Sequence, residues 1–129
     1  MVFVPIVWSI PAGEFVPLMT SEIDELGICL TDKRFLSLSH VPTGTETLYI
    51  CGNLAGETKR SASFRLNYNT KNVFYIHPSP SLKPGEFFIP VKASSLHGGV
   101  ESDTFPMGDY QLQAAYSRDP LLFFDFRVE

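Results

Sequence analysis

Residues 63–91 read Ser-Phe-Arg-Leu-Asn-Tyr-Asn-Thr-Lys-Asn-Val-Phe-Tyr-Ile-His-Pro-Ser-Pro-Ser-Leu-Lys-Pro-Gly-Glu-Phe-Phe-Ile-Pro-Val, and no other stretch limits the fold so tightly. Phe64, Leu66 and Tyr68 alternate with polar residues, the period of two that puts apolar side chains on one face of a strand. Residues 69–72 are a polar turn cluster, and Val73, Phe74, Tyr75 and Ile76 are β-branched or aromatic. Pro78, Pro80, Pro84 and Gly85 then punctuate before another alternating run. Three strands in so short a span build a sheet core and carry no chemistry of their own.

The rest of the composition agrees. A chain of 129 residues suits one domain with one core, spanning residues 1–129. The 11 Phe and 5 Tyr exceed what a disordered tail carries, while 10 Pro and 9 Gly call for many short elements joined by turns rather than a helical bundle. The expected fold is therefore all-β: a single antiparallel β-sandwich, immunoglobulin-like or jelly-roll-like, of seven to nine strands, with at most one short helix near residues 21–26. Its inner face is expected to include Phe64, Leu66, Val73, Tyr75, Phe87, Ile89, Tyr110, Leu112, Phe124 and Phe126.

The helix signal lies in residues 20–27, where Ser21 can cap, Glu22, Asp24 and Glu25 suit a helix N-terminus, and Gly27 suits a left-handed stop. Residues 28–30, 35–39 and 48–51 read as short strands. Residues 52–62 read as a polar loop. One pattern recurs three times: Ile10-Pro-Ala-Gly13-Glu14-Phe15, Leu82-Lys-Pro-Gly85-Glu86-Phe87 and Phe105-Pro-Met-Gly108-Asp109-Tyr110. Its physical need is a glycine at positive φ that turns the chain into a strand whose first inward residue is a large ring. After the third copy, Tyr110, Leu112, Ala114 and Tyr116 point one way. Leu122, Phe124, Phe126 and Val128 follow as the partner strand of a hairpin, with Phe123 breaking the alternation.

A resemblance can be set on these residues. Phe64-Arg-Leu-Asn-Tyr-Asn, then Val73-Phe-Tyr-Ile, then Leu82-Lys-Pro-Gly85 resembles the strand, turn, strand and Pro-Gly entry of immunoglobulin-like domains of the major-sperm-protein and pilus-chaperone type. Phe105-x-x-Gly-x-Tyr110-x-Leu112 is similar to the Gly-x-Tyr entry to the penultimate strand of such sandwiches, where a tyrosine corner is common. The likeness covers about residues 60–128. The first 60 residues depart from it, and Trp8 lies far upstream of Cys29 and Cys51, unlike the Cys-Trp-Cys order of antibody domains. The resemblance implies a scaffold that binds proteins or self-assembles and has no active site.

No pattern carries catalysis, a cofactor or a metal. His40, His77 and His97 are far apart and no zinc-spaced pair occurs. Glu101 and Asp103 beside Gly98-Gly99 offer carboxylates to a cation, but the spacing fits no complete calcium loop. There is no Gly-x-Ser-x-Gly elbow, P-loop or dinucleotide-binding turn. The net charge of −4 offers no dense positive footprint for nucleic acid. Lys59, Arg60, Arg65 and Lys71 interleave with Tyr68 and Tyr75 in a way that suits stacked single strands, yet alternate aromatics in a strand are usually core. Residues 1–32 hold five carboxylates and no Lys or Arg, whereas residues 33–71 hold six basic residues against two acidic ones, a segregation that suits ordinary solvated faces or the steering of one copy onto another. No run is long and apolar enough for a transmembrane helix, and the N-terminal residues lack the charged start of a secretory signal, so a cytoplasmic or virion setting is expected. In such a setting Cys29 and Cys51 are expected to be reduced and buried.

What remains is a non-enzymatic structural or interaction module. It would either self-assemble or dock on a larger assembly, as a small virion decoration or connector component does, or bind a peptide as an added edge strand; a small hydrolase is the third and weakest reading. Its partner would be protein, without nucleic acid or membrane, and a homo-oligomer fits. The candidate contact is the extended segment within residues 1–19, an arm or an edge strand. There Val2, Val4, Ile6 and Trp8 share one face and Phe3 and Val7 the other, more apolar surface than a half-buried edge can hide. Either a neighbour covers it or residues 20–26 fold back over it.

Overall fold

A computed structural model describes residues 23–54, 62–76, 85–116 and 122–129. Eight strands occupy them: β1 (Ile23–Cys29), β2 (His40–Val41), β3 (Thr47–Leu54), β4 (Ala62–Tyr68), β5 (Lys71–Ile76), β6 (Gly85–Lys92), β7 (Gly108–Tyr116) and β8 (Leu122–Val128), with a 3-10 turn at Ala93–Ser95. They form an all-β sandwich of two sheets, ordered β1-β3-β6 and β2-β8-β7-β4-β5. Every pairing is antiparallel except the short one of β2 with β8, which is parallel.

The period of two sets the core. Leu48 and Ile50 of β3 and Phe87, Ile89 and Val91 of β6 face Phe64 and Leu66 of β4 and Tyr110, Leu112 and Ala114 of β7. Phe64 meets Phe87 across the layers with ring centroids 5.8 Å apart. Burial of each such side chain is worth about 1.5–3 kcal/mol. The Gly-acidic-aromatic pattern does what its chemistry requires in both described copies. Gly85 (φ 99°) opens β6 two residues before buried Phe87, and Gly108 (φ 137°) opens β7 two residues before buried Tyr110. The first copy lies outside the described residues.

Four expectations are corrected. The described part of the helix signal, residues 23–27, lies in strand β1. A helix this short is marginal alone, whereas as a strand the segment pairs with β3 from Ile23 to Cys29, and a register slip between Ile23 and Glu25 lets Ile23 and Leu26 both pack on the core. Residues 35–39 are not a strand but part of a strap. Leu36 N–H donates to Cys29 Sγ (3.4 Å), Phe35 N–H donates to the Glu86 carboxylate of β6 (3.2 Å), and Leu38 N–H donates to Ile28 O (2.8 Å). Third, Cys29 and Cys51 form a disulfide between neighbouring strands of one sheet. Direct cross-strand pairs share a face, so Cys51, opposite Gly27, and Cys29, opposite Tyr49, lie on the outer side of β1-β3-β6, and the strap covers them there. Gly27 permits this approach, since a Cβ in its place would collide with the Ser37 side chain.

The fourth correction is Tyr75, which is half exposed rather than inward. Phe74 pairs with Leu66 and Asn72 with Asn67, leaving Val73 as the extra residue of a β-bulge. Val73 is buried in place of Tyr75, and Tyr75 turns outward beside Arg65. The turn into β5 is also tighter than the sequence suggests: Asn69 and Thr70 (φ 49° and 69°) alone connect β4 to β5, both in the left-handed region of a two-residue hairpin. Of the expected loop 52–62, residues 52–54 belong to β3 and Ala62 to β4.

Candidate interaction surface

The outer face of the five-stranded sheet gathers the most varied side chains in register. Pairing carries one row across four strands: Tyr75 of β5 opposite Arg65 of β4, Arg65 opposite Gln113 of β7, and Gln113 opposite Phe123 of β8. Its two ends are aromatic and exposed, Tyr75 at 52% and Phe123 at 56%. The Arg65 guanidinium lies over the Tyr75 ring, 6.0 Å from its centroid. The next row runs Asn72, Asn67, Gln111 and Asp125. A third pairs Asp109 with Arg127, and Arg127 with His40 of β2.

Hydrogen bonds fix these side chains before any partner arrives. Gln113 Nε2 donates to Gln111 Oε1 (2.8 Å), and Gln111 Nε2 donates to Asp125 Oδ1 (3.0 Å). Asn72 Nδ2 donates to Phe74 O (3.1 Å). Arg127 bridges Asp109 (2.8 Å) and Glu129 (3.3 Å), and Glu129 lies 3.4 Å from His40. These ion pairs are exposed, so they orient the side chains more than they stabilise the fold. A shallow recess of about 820 Å³ follows the second and third rows, with Asn67, Asp109, Gln111, Asp125 and Arg127 in its lining.

Beneath the face lies a rigid support. Tyr110 Oη donates to Pro106 O (2.6 Å), and its ring stacks on Phe126 at 5.0 Å and tilts against Tyr68 at 4.7 Å. Burial, reinforced by the neighbouring Tyr68, pushes the Tyr110 phenol far above its ordinary range. Tyr68 Oη donates to Met107 O, so both hydroxyls hold the turn that delivers β7.

The N-terminal contact residues Val2, Phe3, Val4, Ile6, Val7 and Trp8 lie outside the described residues, as does His77. Among the described residues no three His, Cys, Asp or Glu stand close enough to hold a metal. Asp103 borders a small recess with Glu46 and Lys92, while His40 belongs to the five-stranded sheet, paired beside Arg127. Nor is any helix among the described residues long and apolar enough to cross a membrane. Sequence reading missed the aromatic row because it placed Tyr75 inside. The signal that marks its other end was visible: Phe123 breaks an otherwise clean alternation.

No protein-family model matches the chain, and no curated protein matches it.

Proposed function

We propose that this chain is a non-enzymatic interaction module of the immunoglobulin-like kind, whose working surface is the outer face of the five-stranded sheet. The carrying observation is the row Tyr75-Arg65-Gln113-Phe123, which exposes two large rings in register on a face whose polar side chains are already oriented. Rings and arginines on preorganised surfaces are the groups that anchor protein contacts. The grouping of β1, β3 and β6 against β4, β7 and β8, with β5 at the side of β4, supports the immunoglobulin-like part, as does the Tyr110–Pro106 hydrogen bond of a tyrosine corner. The disulfide departs from that pattern, because it joins neighbours in one sheet instead of spanning the layers. The role extends to docking on a larger assembly, as a decoration or connector component would.

The test is photo-cross-linking in the producing cell, with a benzophenone amino acid in place of Phe123 or, on the strap that covers the opposite sheet, of the exposed Leu36. Protein adducts from position 123 but not from position 36 are expected. Equal adducts from both, or adducts from 36 alone, would reject this face as the working surface.

A second reading, addition of a peptide strand, is favoured by the edges. Among the described residues β5 pairs only with β4 and β6 only with β3. Pro90 removes a donor from the middle of β6, so β5 is the better acceptor.

A further inference from the structure

We infer that the partner of this face is a second copy of the same chain, bound face to face about a two-fold axis that runs parallel to the strands, between β4 and β7. The inference rests on the reading that the outer face of the five-stranded sheet is the working surface. An axis in that place exchanges β5 with β8 and β4 with β7. It therefore lays each row on itself, reversed.

The reversed rows match. Tyr75 falls on the partner's Phe123, joining the two exposed rings into a pair on each side of the axis. Arg65 falls on the partner's Gln113. Among the described residues Arg65 has no carboxylate partner, and Gln113 uses only its Nε2, leaving its Oε1 to accept from the guanidinium. In the next row Asn67 meets the partner's Gln111, and Asn72 meets the partner's Asp125: amide against amide, and donor against carboxylate. Asp109 and Arg127 fall over the partner's turn at Asn69 and Thr70, so like charges are not stacked. Within the face Arg65 and Arg127 stand against Asp109, Asp125 and Glu129, a difference of a single charge, so two identical copies approach with little net repulsion. Such correspondence of a patch with its own reversed image is what an isologous two-fold contact requires.

The size sets the strength. Four strands at about 4.8 Å spacing and three rows of side chains cover a patch about 15–20 Å on a side, which puts the contact at the small end of specific interfaces, below about 1,200 Å² in total. The dimer should be weak, with a dissociation constant on the order of tens of micromolar or more.

The geometry gives an asymmetric test with the purified full chain. Tyr75→Cys and Phe123→Cys are made separately, the Cys29–Cys51 bridge being kept, and treated with a short bis-maleimide. In this arrangement position 75 faces the partner's position 123. Two copies of position 75, or two of position 123, stand about 14 Å apart laterally and on sheets about 10 Å apart, beyond the reagent. The mixture of variants should yield cross-linked dimer and each variant alone several-fold less. Equal yields from the single variants, or no product from the mixture, would overturn the two-fold. As a second readout, sedimentation from about 10 to 500 µM should show a concentration-dependent dimer, and the exposed double change Tyr75→Glu with Phe123→Glu should weaken it about tenfold or more without loss of fold. A monomer throughout that range would also overturn the inference. Adducts from position 123 to a different protein, with no self-association, would leave the interaction reading standing and remove only the second copy as its partner.

Discussion

Taking the hydroxyl from Tyr110 removes one oxygen and tests how the entry to β7 is held. Tyr110→Phe should lower stability by about 1 kcal/mol, the usual worth of one hydrogen bond, measured as a shift of the urea midpoint at pH 7. The alkaline limb separates the hydroxyl's role from packing. The folded phenol titrates above its unfolded value of about 10, so its contribution is fully present below pH 10 and is lost as pH rises beyond, where the unfolded chain releases the proton first. The stability difference between the native chain and the Tyr110→Phe variant should thus be constant from pH 7 to 9 and shrink above about pH 10; an unchanged difference at pH 11 would contradict the assigned burial. Gly108 belongs to the same device. A Cβ there would stand 2.9 Å from the Tyr68 ring, and its φ of 137° is one that side-chain-bearing residues rarely adopt. This corner was readable from sequence because glycine, acid and ring sit at fixed offsets, each with a local physical reason.

At the scale of the element, β5 shows where such reading ends. A strand that alternates cleanly announces its inner face, and β4, β6 and β7 did so through Phe64 and Leu66, Phe87 and Ile89, and Tyr110 and Leu112. A bulge adds one residue and inverts everything beyond it, and in Val73, Phe74, Tyr75 and Ile76 every residue is apolar enough to face either way. The candidate surface was hidden by that single inversion. Val73→Ala should cost about 2 kcal/mol for the two methyl groups removed from the core, whereas Tyr75→Ala should stay within about 0.5 kcal/mol. Equal costs in urea melts at low protein concentration would contradict the bulge. The strap was invisible for a related reason: Phe35, Leu36 and Leu38 have strand-like composition, and only the partners of their backbone groups, Glu86, Cys29 and Ile28, tell a strap from a strand.

For the whole molecule the disulfide matters more than its position on one sheet suggests. Joining residues 22 apart, it removes loop-closure entropy from the unfolded chain worth about 3 kcal/mol. Cys29→Ala with Cys51→Ala should lower the unfolding free energy by about that amount, since both side chains are fully buried under the strap and water gains no direct access. A loss below about 1 kcal/mol in urea would mean that the unfolded chain is already constrained there. The pairing was not legible because the sequence argument ran through compartment, while what joins the sulfurs is the register of β1 on β3.

The segment from Leu38 to Val41 bonds to both layers in turn: Leu38 N–H to Ile28 O in one sheet, then Arg127 N–H to Ser39 O and Glu129 N–H to Val41 O in the other. The sandwich is in this sense a book with a sewn spine. Sliding one layer past the other along the strands would break main-chain bonds in both at once, and at the opposite margin the segment that follows β6 adds a tie of its own, His97 N–H to Val73 O of β5 (2.8 Å). Stitched at the spine and clasped at the fore-edge, the leaves are held against shear at both margins.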